Sequence, residues 1–263
     1  WLTTAGEALV CEDEFAAATG AAHAISVNSA TSGLHLALEA VGVRPGDRVI
    51  TTPYTFTSSA EVVRYLGADP LFVDVREDDL NIDPQFVADA LAEQPISRDG
   101  REVPAGDDAS PVRAILPVHI GGHPCAIGEL CRMADDAGVA VVEDAAHAFP
   151  ASREGRALGT WGACGVYSFY ATKTITTGEG GMVVTADEEL AKRMAVMRLH
   201  GIDREVWDRY TSATPSWQYA VVEAGFKYNM PDVLAAIGRV QLTRARAFLE
   251  QRRAIARRYH ELL

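Results

Sequence analysis

The stretch Ser168-Phe169-Tyr170-Ala171-Thr172-Lys173, followed by Thr177-Gly178-Glu179-Gly180-Gly181, decides how the chain is read. It joins an apolar segment of strand character, Cys164 to Phe169, to a glycine-rich tail that needs backbone angles closed to most side chains. A lysine set between such a strand and such a loop is poorly explained as a solvated surface charge and well placed to meet a ligand. Earlier in the chain, Val139-Ala140-Val141-Val142-Glu143-Asp144 reads as a buried-type strand ending in carboxylates, where a parallel sheet presents its site. Side chains alternate along a strand, so Glu143 and Asp144 point to opposite faces and only one can reach a ligand. Asp144 stands beyond the last valine and is followed by Ala145 and Ala146, small residues that let a flat ring approach. His147 would share a side with Asp144 on a helical turn, although a core or capping role suits it equally.

A lysine and an acid at two strand ends suggest pyridoxal phosphate, whose aldehyde takes a lysine as Schiff base and whose ring nitrogen takes an acid partner. Two further stretches suit that cofactor. Asn28-Ser29-Ala30-Thr31-Ser32-Gly33 lies between a short strand, His23 to Val27, and the start of a helix at Leu34. Free N–H groups and hydroxyls at the positive end of a helix dipole can grip a phosphate, though the same residues also make an ordinary N-cap. Pro53-Tyr54-Thr55-Phe56-Thr57-Ser58-Ser59 opens another helix, and its aromatics can stack on a heterocycle or belong to the core.

Strands and helices alternate through the chain. Helices are predicted from Glu7 to Thr19, capped by Gly20, over residues 84 to 94, from Ala126 to Ala137 and from Glu188 to Leu199. Strands are predicted from Arg48 to Thr52, Pro70 to Val75, Val112 to Val118 and Val139 to Val142, with Gly181 to Thr185 as the hairpin partner of Cys164 to Phe169. Connections this short imply an α/β sheet, mostly parallel and covered on both faces. Ser97 to Pro111 reads as a surface insertion. Residues 200 to 229, with Trp207, Tyr210 and Trp217, read as a loop that packs on a partner or covers a site. A long helix follows Pro231, in which Arg239, Arg244, Arg246, Arg252, Arg253, Arg257 and Arg258 are expected on a solvated face.

The chain has 263 residues, 48% of them hydrophobic, enough for one large domain and part of another. Its first residue is Trp1, and its last stretch is a helix without a cap, so both ends are expected to be cut. Lys and Arg number 24 against 36 Asp and Glu, a net charge of −12 that disfavours nucleic acid as the main partner. No run of about twenty apolar residues suggests a membrane span, and the cytoplasm is the default location. The four cysteines lack zinc-site spacing and disulfide density. No metal is expected: His119, His123 and Cys125 share a loop in which Gly121, Gly122 and Pro124 preset no ligand face.

Together these motifs resemble the DegT/StrS-type nucleotide-sugar aminotransferases, pyridoxal-phosphate enzymes of the aspartate-aminotransferase fold. The resemblance runs over nearly the whole chain, through Trp1-Leu2-Thr3-Thr4, Asn28 to His35, Pro53 to Ser59, Glu143 to His147, Ser168 to Lys173, Gly178 to Gly181 and Gly225 to Gly238. It implies a cofactor-binding large domain over residues 1 to 240 and the beginning of a small C-terminal domain over 241 to 263. It also implies a role for each matched residue. Lys173 would carry the Schiff base, Asp144 would partner the pyridine nitrogen, Phe56 would stack on the ring and His147 would lie near the ring hydroxyl. Thr31, Ser32 and Ser168 would hold the phosphate, and Asn229 would reach the phosphate of the neighbouring subunit in a homodimer with shared sites. The substrates implied are a nucleotide-linked keto sugar and an amino donor, L-glutamate. The dehydratase branch of the family carries histidine in place of the lysine, so Lys173 favours transamination over a lyase or dehydration reaction. A regulatory protein that keeps the cofactor without turnover lacks support from any basic face, and no G-x-G-x-x-G follows the first strand to suggest a nicotinamide fold.

Overall fold

A computed structural model of the protein describes residues 2–92, 110–203 and 219–263. Trp1, most of the expected insertion from Ser97, and Trp207, Tyr210 and Trp217 lie outside the described residues. Nine strands are described: β1 (His23–Val27), β2 (Arg48–Thr51), β3 (Asp69–Phe72), β4 (Val112–Ile115), β5 (Ala140–Asp144), β6 (Ser152–Arg153), β7 (Arg156–Ala157), β8 (Cys164–Ser168) and β9 (Gly181–Thr185). Seven of them form one sheet in the order β1-β9-β8-β5-β4-β2-β3. The run from β3 to β8 is parallel throughout, and β9 is antiparallel to both its neighbours. The expected mostly parallel α/β sheet is therefore present, and so is the expected hairpin, with Tyr167 opposite Met182. The two-residue pair β6–β7 was not expected, since strands that short carry no periodicity to read.

The helices are α1 (Gly6–Thr19), α2 (Ala30–Ala40), α3 (Ser58–Tyr65), α4 (Pro84–Ala92), α5 (Ile127–Ala137), α6 (Glu188–Met197) and α7 (Asp232–Leu262). Glycines in the left-handed region end two of them, Gly20 (φ 73°) after α1 and Gly138 (φ 68°) after α5. Helix α2 begins four residues earlier than Leu34 because Ser29 and Ser32 form a capping box. Ser29 Oγ accepts the Ser32 N–H (3.1 Å), and Ser32 Oγ accepts the Ser29 N–H (3.2 Å). The same helix lies close on the sheet: a Cβ at Gly33 would come within 2.8 Å of Val166 Cγ1.

Alternation along β8 and β9 divides the core. Val166 and Val183 face α2 and α6, while Tyr167, Met182 and Val184 face α1 and α7. A third cluster packs α4 and α5 against β2, β4 and β5. Leu34, Leu36 and Leu38 are fully buried, which stabilises the fold by roughly 1.5–3 kcal/mol for each such side chain. Helix α1 has no capping side chain of its own. Asp232 at the start of α7 supplies one, its Oδ1 accepting the N–H groups of Ala5 (2.7 Å) and Ala8 (3.1 Å).

Arg239 departs from the expected solvated face. It spans from α7 to α1, where it donates to Glu7 (2.7 Å) and Glu14 (2.8 and 3.0 Å). Helix α7 is continuous through residue 240. Among the described residues no helix is long and apolar enough to cross a membrane.

Candidate active site

The C-terminal ends of β5 and β8 lie side by side, with Asp144 opposite Val166. Each strand feeds a short loop, and the loops and the start of α2 surround a cavity of about 530 Å³. Thr31, Phe56, Asp144, His147, Ser168 and Lys173 all line it. Residues far apart in sequence thus meet at the carboxyl edge of the sheet, where strand ends leave a crevice.

Lys173 is projected by a loop stapled at its base. The Phe169 carbonyl accepts the Thr177 N–H (3.0 Å) and the Thr176 hydroxyl (3.0 Å), and the Phe169 N–H donates to Gly180 (2.9 Å). Phe169 and Ile175 are buried, whereas Tyr170, Ala171 and Thr172 between them are exposed. Anchoring two apolar residues in the core pushes the segment between them out to the cavity. Burial disfavours the Lys173 ammonium and lowers its pKa below the usual lysine value, while Asp144 acts in the opposite sense. His147 also has a lowered pKa, through burial first and the Lys173 charge second, against a raising influence from Asp144. Burial thus favours its neutral imidazole.

Asp144 is 5% exposed. Its Oδ2 accepts the Ser59 hydroxyl (2.9 Å) and its Oδ1 the Ala146 N–H (3.1 Å). Since Ser59 donates to Asp144, Thr55 donates to Ser59 Oγ (2.8 Å), and two hydroxyls in series hold the acid from beneath. Ser59 carried no role in the sequence reading. A serine in the first turn of a helix has a ready local explanation, and only the fold brings it under β5.

Glu143 points the other way, as strand alternation requires. It is fully buried, and its oxygens accept four hydrogen bonds, from Trp161 (2.6 Å), Gly162 (2.8 Å), Gly159 (2.8 Å) and His119 Nε2 (2.9 Å). The Cys125 N–H donates to His119 Nδ1 (3.3 Å), so both nitrogens of that ring are engaged. Among the described residues no group of acidic, histidine and cysteine side chains is arranged to hold a metal ion.

Two of the sequence candidates stand apart from the cavity lining. Ser32 is buried and directed into the helix start, where its hydroxyl donates to Asn28 Oδ1 (2.7 Å) and the Ser29 carbonyl (2.7 Å). It shapes the N-terminus of α2, while Thr31 faces the cavity. Asn229 bridges to Val27 at the outer strand and hydrogen-bonds Thr4 Oγ1 (2.6 Å) and the Lys227 ammonium. Phe56 is 74% exposed and contributes one open wall.

The donor set fits pyridoxal phosphate. A carboxylate with lone pairs to spare, a lysine whose pKa burial lowers, an open aromatic face and the start of helix α2 line one space. Glu179 also lines the cavity, next to the glycines of its loop.

The model of the DegT/DnrJ/EryC1/StrS aminotransferase family matches residues 1–263. The chain is 42% identical over 261 residues to an uncharacterized protein of Methanocaldococcus jannaschii, covering 99% of this chain and 63% of that protein. It is 42% identical over 259 residues to the spore coat polysaccharide biosynthesis protein SpsC of Bacillus subtilis, covering 98% of this chain and 62% of SpsC. The chain thus spans less than two thirds of the length of these relatives. Among solved structures, a putative sugar aminotransferase from Streptococcus pneumoniae in its PLP form superposes with a TM-score of 0.84 at 28% identity, covering 99% of this chain and 65% of that one.

Proposed function

This chain belongs to the DegT/DnrJ/EryC1/StrS aminotransferase family, and from that premise we propose that it moves an amino group from L-glutamate to a keto sugar carried on a nucleotide. One observation carries the reading: Lys173 and Asp144 line a single cavity at the carboxyl edge of the sheet. Sugar-linked relatives support the substrate class, since one matched protein is named for polysaccharide biosynthesis and one matched structure for sugar amination.

Pyridoxal phosphate, once bound, supplies an aldehyde that exchanges amine partners and a protonated ring that takes up the electrons of a broken C–H bond. The protein's residues do the rest. Asp144, steadied by Ser59 and Ala146, would partner the ring nitrogen and favour its protonated form. Burial lowers the Lys173 pKa, so its amine would be suited to hold and return the proton of the donor α-carbon. His147 would lie beside the ring, Phe56 would cover one ring face, and Thr31, Ser168 and the start of α2 would hold the phosphate. Ser32 would serve that grip indirectly, by completing the capping box with Ser29 at the helix start.

We extend the reading to a homodimer acting in the cytoplasm, with Asn229 of one subunit serving the neighbouring site. In its own chain that side chain is turned to Thr4 and Lys227, outside the cavity lining. The test is to incubate the protein with L-glutamate, pyridoxal phosphate and a panel of nucleotide-linked keto sugars. Release of 2-oxoglutarate with formation of an amino sugar is expected. A nitrogen-free sugar product, or no 2-oxoglutarate from glutamate, would contradict the proposal.

A further inference from the structure

Beyond His147 the site continues into a second cavity of about 430 Å³. The two cavities share Ala146, His147, Ser168, Thr172 and Lys173, so Lys173 stands on the wall between them. Their chemistry differs. Asp144 and Glu179 line the first, whereas no carboxylate lines the second, whose charged side chains are Lys173 and Arg252. In a chain of net charge −12 this is a local reversal of sign.

Arg252 reaches the cavity through helix register. Ala235, Gly238, Leu242, Ala245 and Leu249 are buried or half-buried and recur at alternating steps of three and four, the stripe that α7 turns to the sheet. Arg252 takes the next position of that stripe, where an apolar residue would continue the pattern. Four other arginines of the helix are engaged: Arg239 with α1, Arg246 with Glu250, Arg258 with Glu261, and Arg244 over the Phe248 ring; Arg253 and Arg257 lie off the stripe. Arg252, open to solvent on its outer side, has no carboxylate partner among the described residues. Around it Phe149, Pro150, Ile175 and Leu249 give the cavity apolar walls, which strengthen a charge facing them. The loop on the opposite side comes in close because residue 122 is glycine, where a Cβ would lie 2.7 Å from the His147 carbonyl oxygen.

We propose that this second cavity seats the anionic end of a substrate and that Arg252 is the residue that recognises its oxygens. A guanidinium donates two parallel N–H groups to a carboxylate or a phosphate alike, so the anion comes either from the amino donor or from the diphosphate of the sugar nucleotide. Naming these substrates rests on the transaminase reading; the anion site itself does not.

The test uses the full chain and two probes, glutarate for the carboxylate and inorganic pyrophosphate for the diphosphate, titrated by calorimetry into wild type, Arg252→Lys and Arg252→Ala. Arg252→Ala is expected to weaken one probe by about tenfold or more, with Arg252→Lys in between and the melting temperature unchanged. KM should rise for the substrate that carries the same anion, by more than kcat falls. Loss of glutarate binding assigns the amino donor, and loss of pyrophosphate binding assigns the nucleotide. Equal affinities in wild type and a folded Arg252→Ala, or no binding of either probe by wild type, would overturn the proposal. A wild type that binds a probe yet transfers no amino group would refute the transaminase reading and leave the anion site standing.

Discussion

Glu143 and Asp144 are chain neighbours with the same functional group, and they end in opposite circumstances. Glu143 turns to the side of the sheet where the segment from Gly159 to Gly162 crosses it, and four donors occupy its two oxygens. An ionised carboxylate without water is costly unless hydrogen bonds replace its hydration, and here they do. Asp144 turns to the cavity with two donors, Ser59 and Ala146, and keeps lone pairs for a ligand. Acidity and burial alone do not tell the two acids apart; unused acceptor capacity beside a cavity does.

Substitutions that keep the shape and remove the charge should separate the two roles. Glu143→Gln turns an amide N–H₂ toward groups that are themselves donors and breaks the pairing with His119. It is expected to lower unfolding free energy by about 3–5 kcal/mol in denaturant titrations. A loss below about 1 kcal/mol would mean that those four bonds are not what holds the segment. Asp144→Asn should leave the melting curve close to wild type and cut turnover by about 10² or more, if Asp144 is the proposed anionic partner of the ring nitrogen. Near-normal turnover in that variant would erase the contrast between the two acids.

A smaller effect sharpens the same contrast. Asp144 raises the Lys173 pKa while burial lowers it, so removing the negative charge should lower that pKa further. The amine of Asp144→Asn should therefore become reactive at lower pH than the wild-type amine. Competitive acylation of the cofactor-free protein across pH, read by mass spectrometry at Lys173, measures the inflection. A shift toward higher pH would contradict the electrostatic picture of the cavity.

Much of this was legible in the sequence because it follows from period and local chemistry. Alternation separated Glu143 from Asp144, Gly20 closed its helix, and the run Val139 to Val142 marked a parallel strand. The partners of Glu143 were not legible: residues 159 and 162 are glycines in a loop, and only their backbone N–H groups matter. Ser29 and Ser32 could be read as a phosphate grip or, more simply, as a cap. The structure shows the capping box, which moves the helix start forward to Ala30. Ser59 and Arg239 were hidden for a shared reason, since each acts on an element far away in sequence. Arg252 falls among seven arginines of one long helix, and only the stripe from Ala235 to Leu249 distinguishes it.

The central claim is that Lys173, raised on its loop opposite Asp144, is where the cofactor becomes covalently attached. Loading the protein with pyridoxal phosphate, reducing with borohydride and mapping the modified peptide tests it directly. The expected result is one modified peptide, with the cofactor's mass on Lys173. Attachment to another lysine, such as the exposed Lys227, with Lys173 unmodified, would contradict the account.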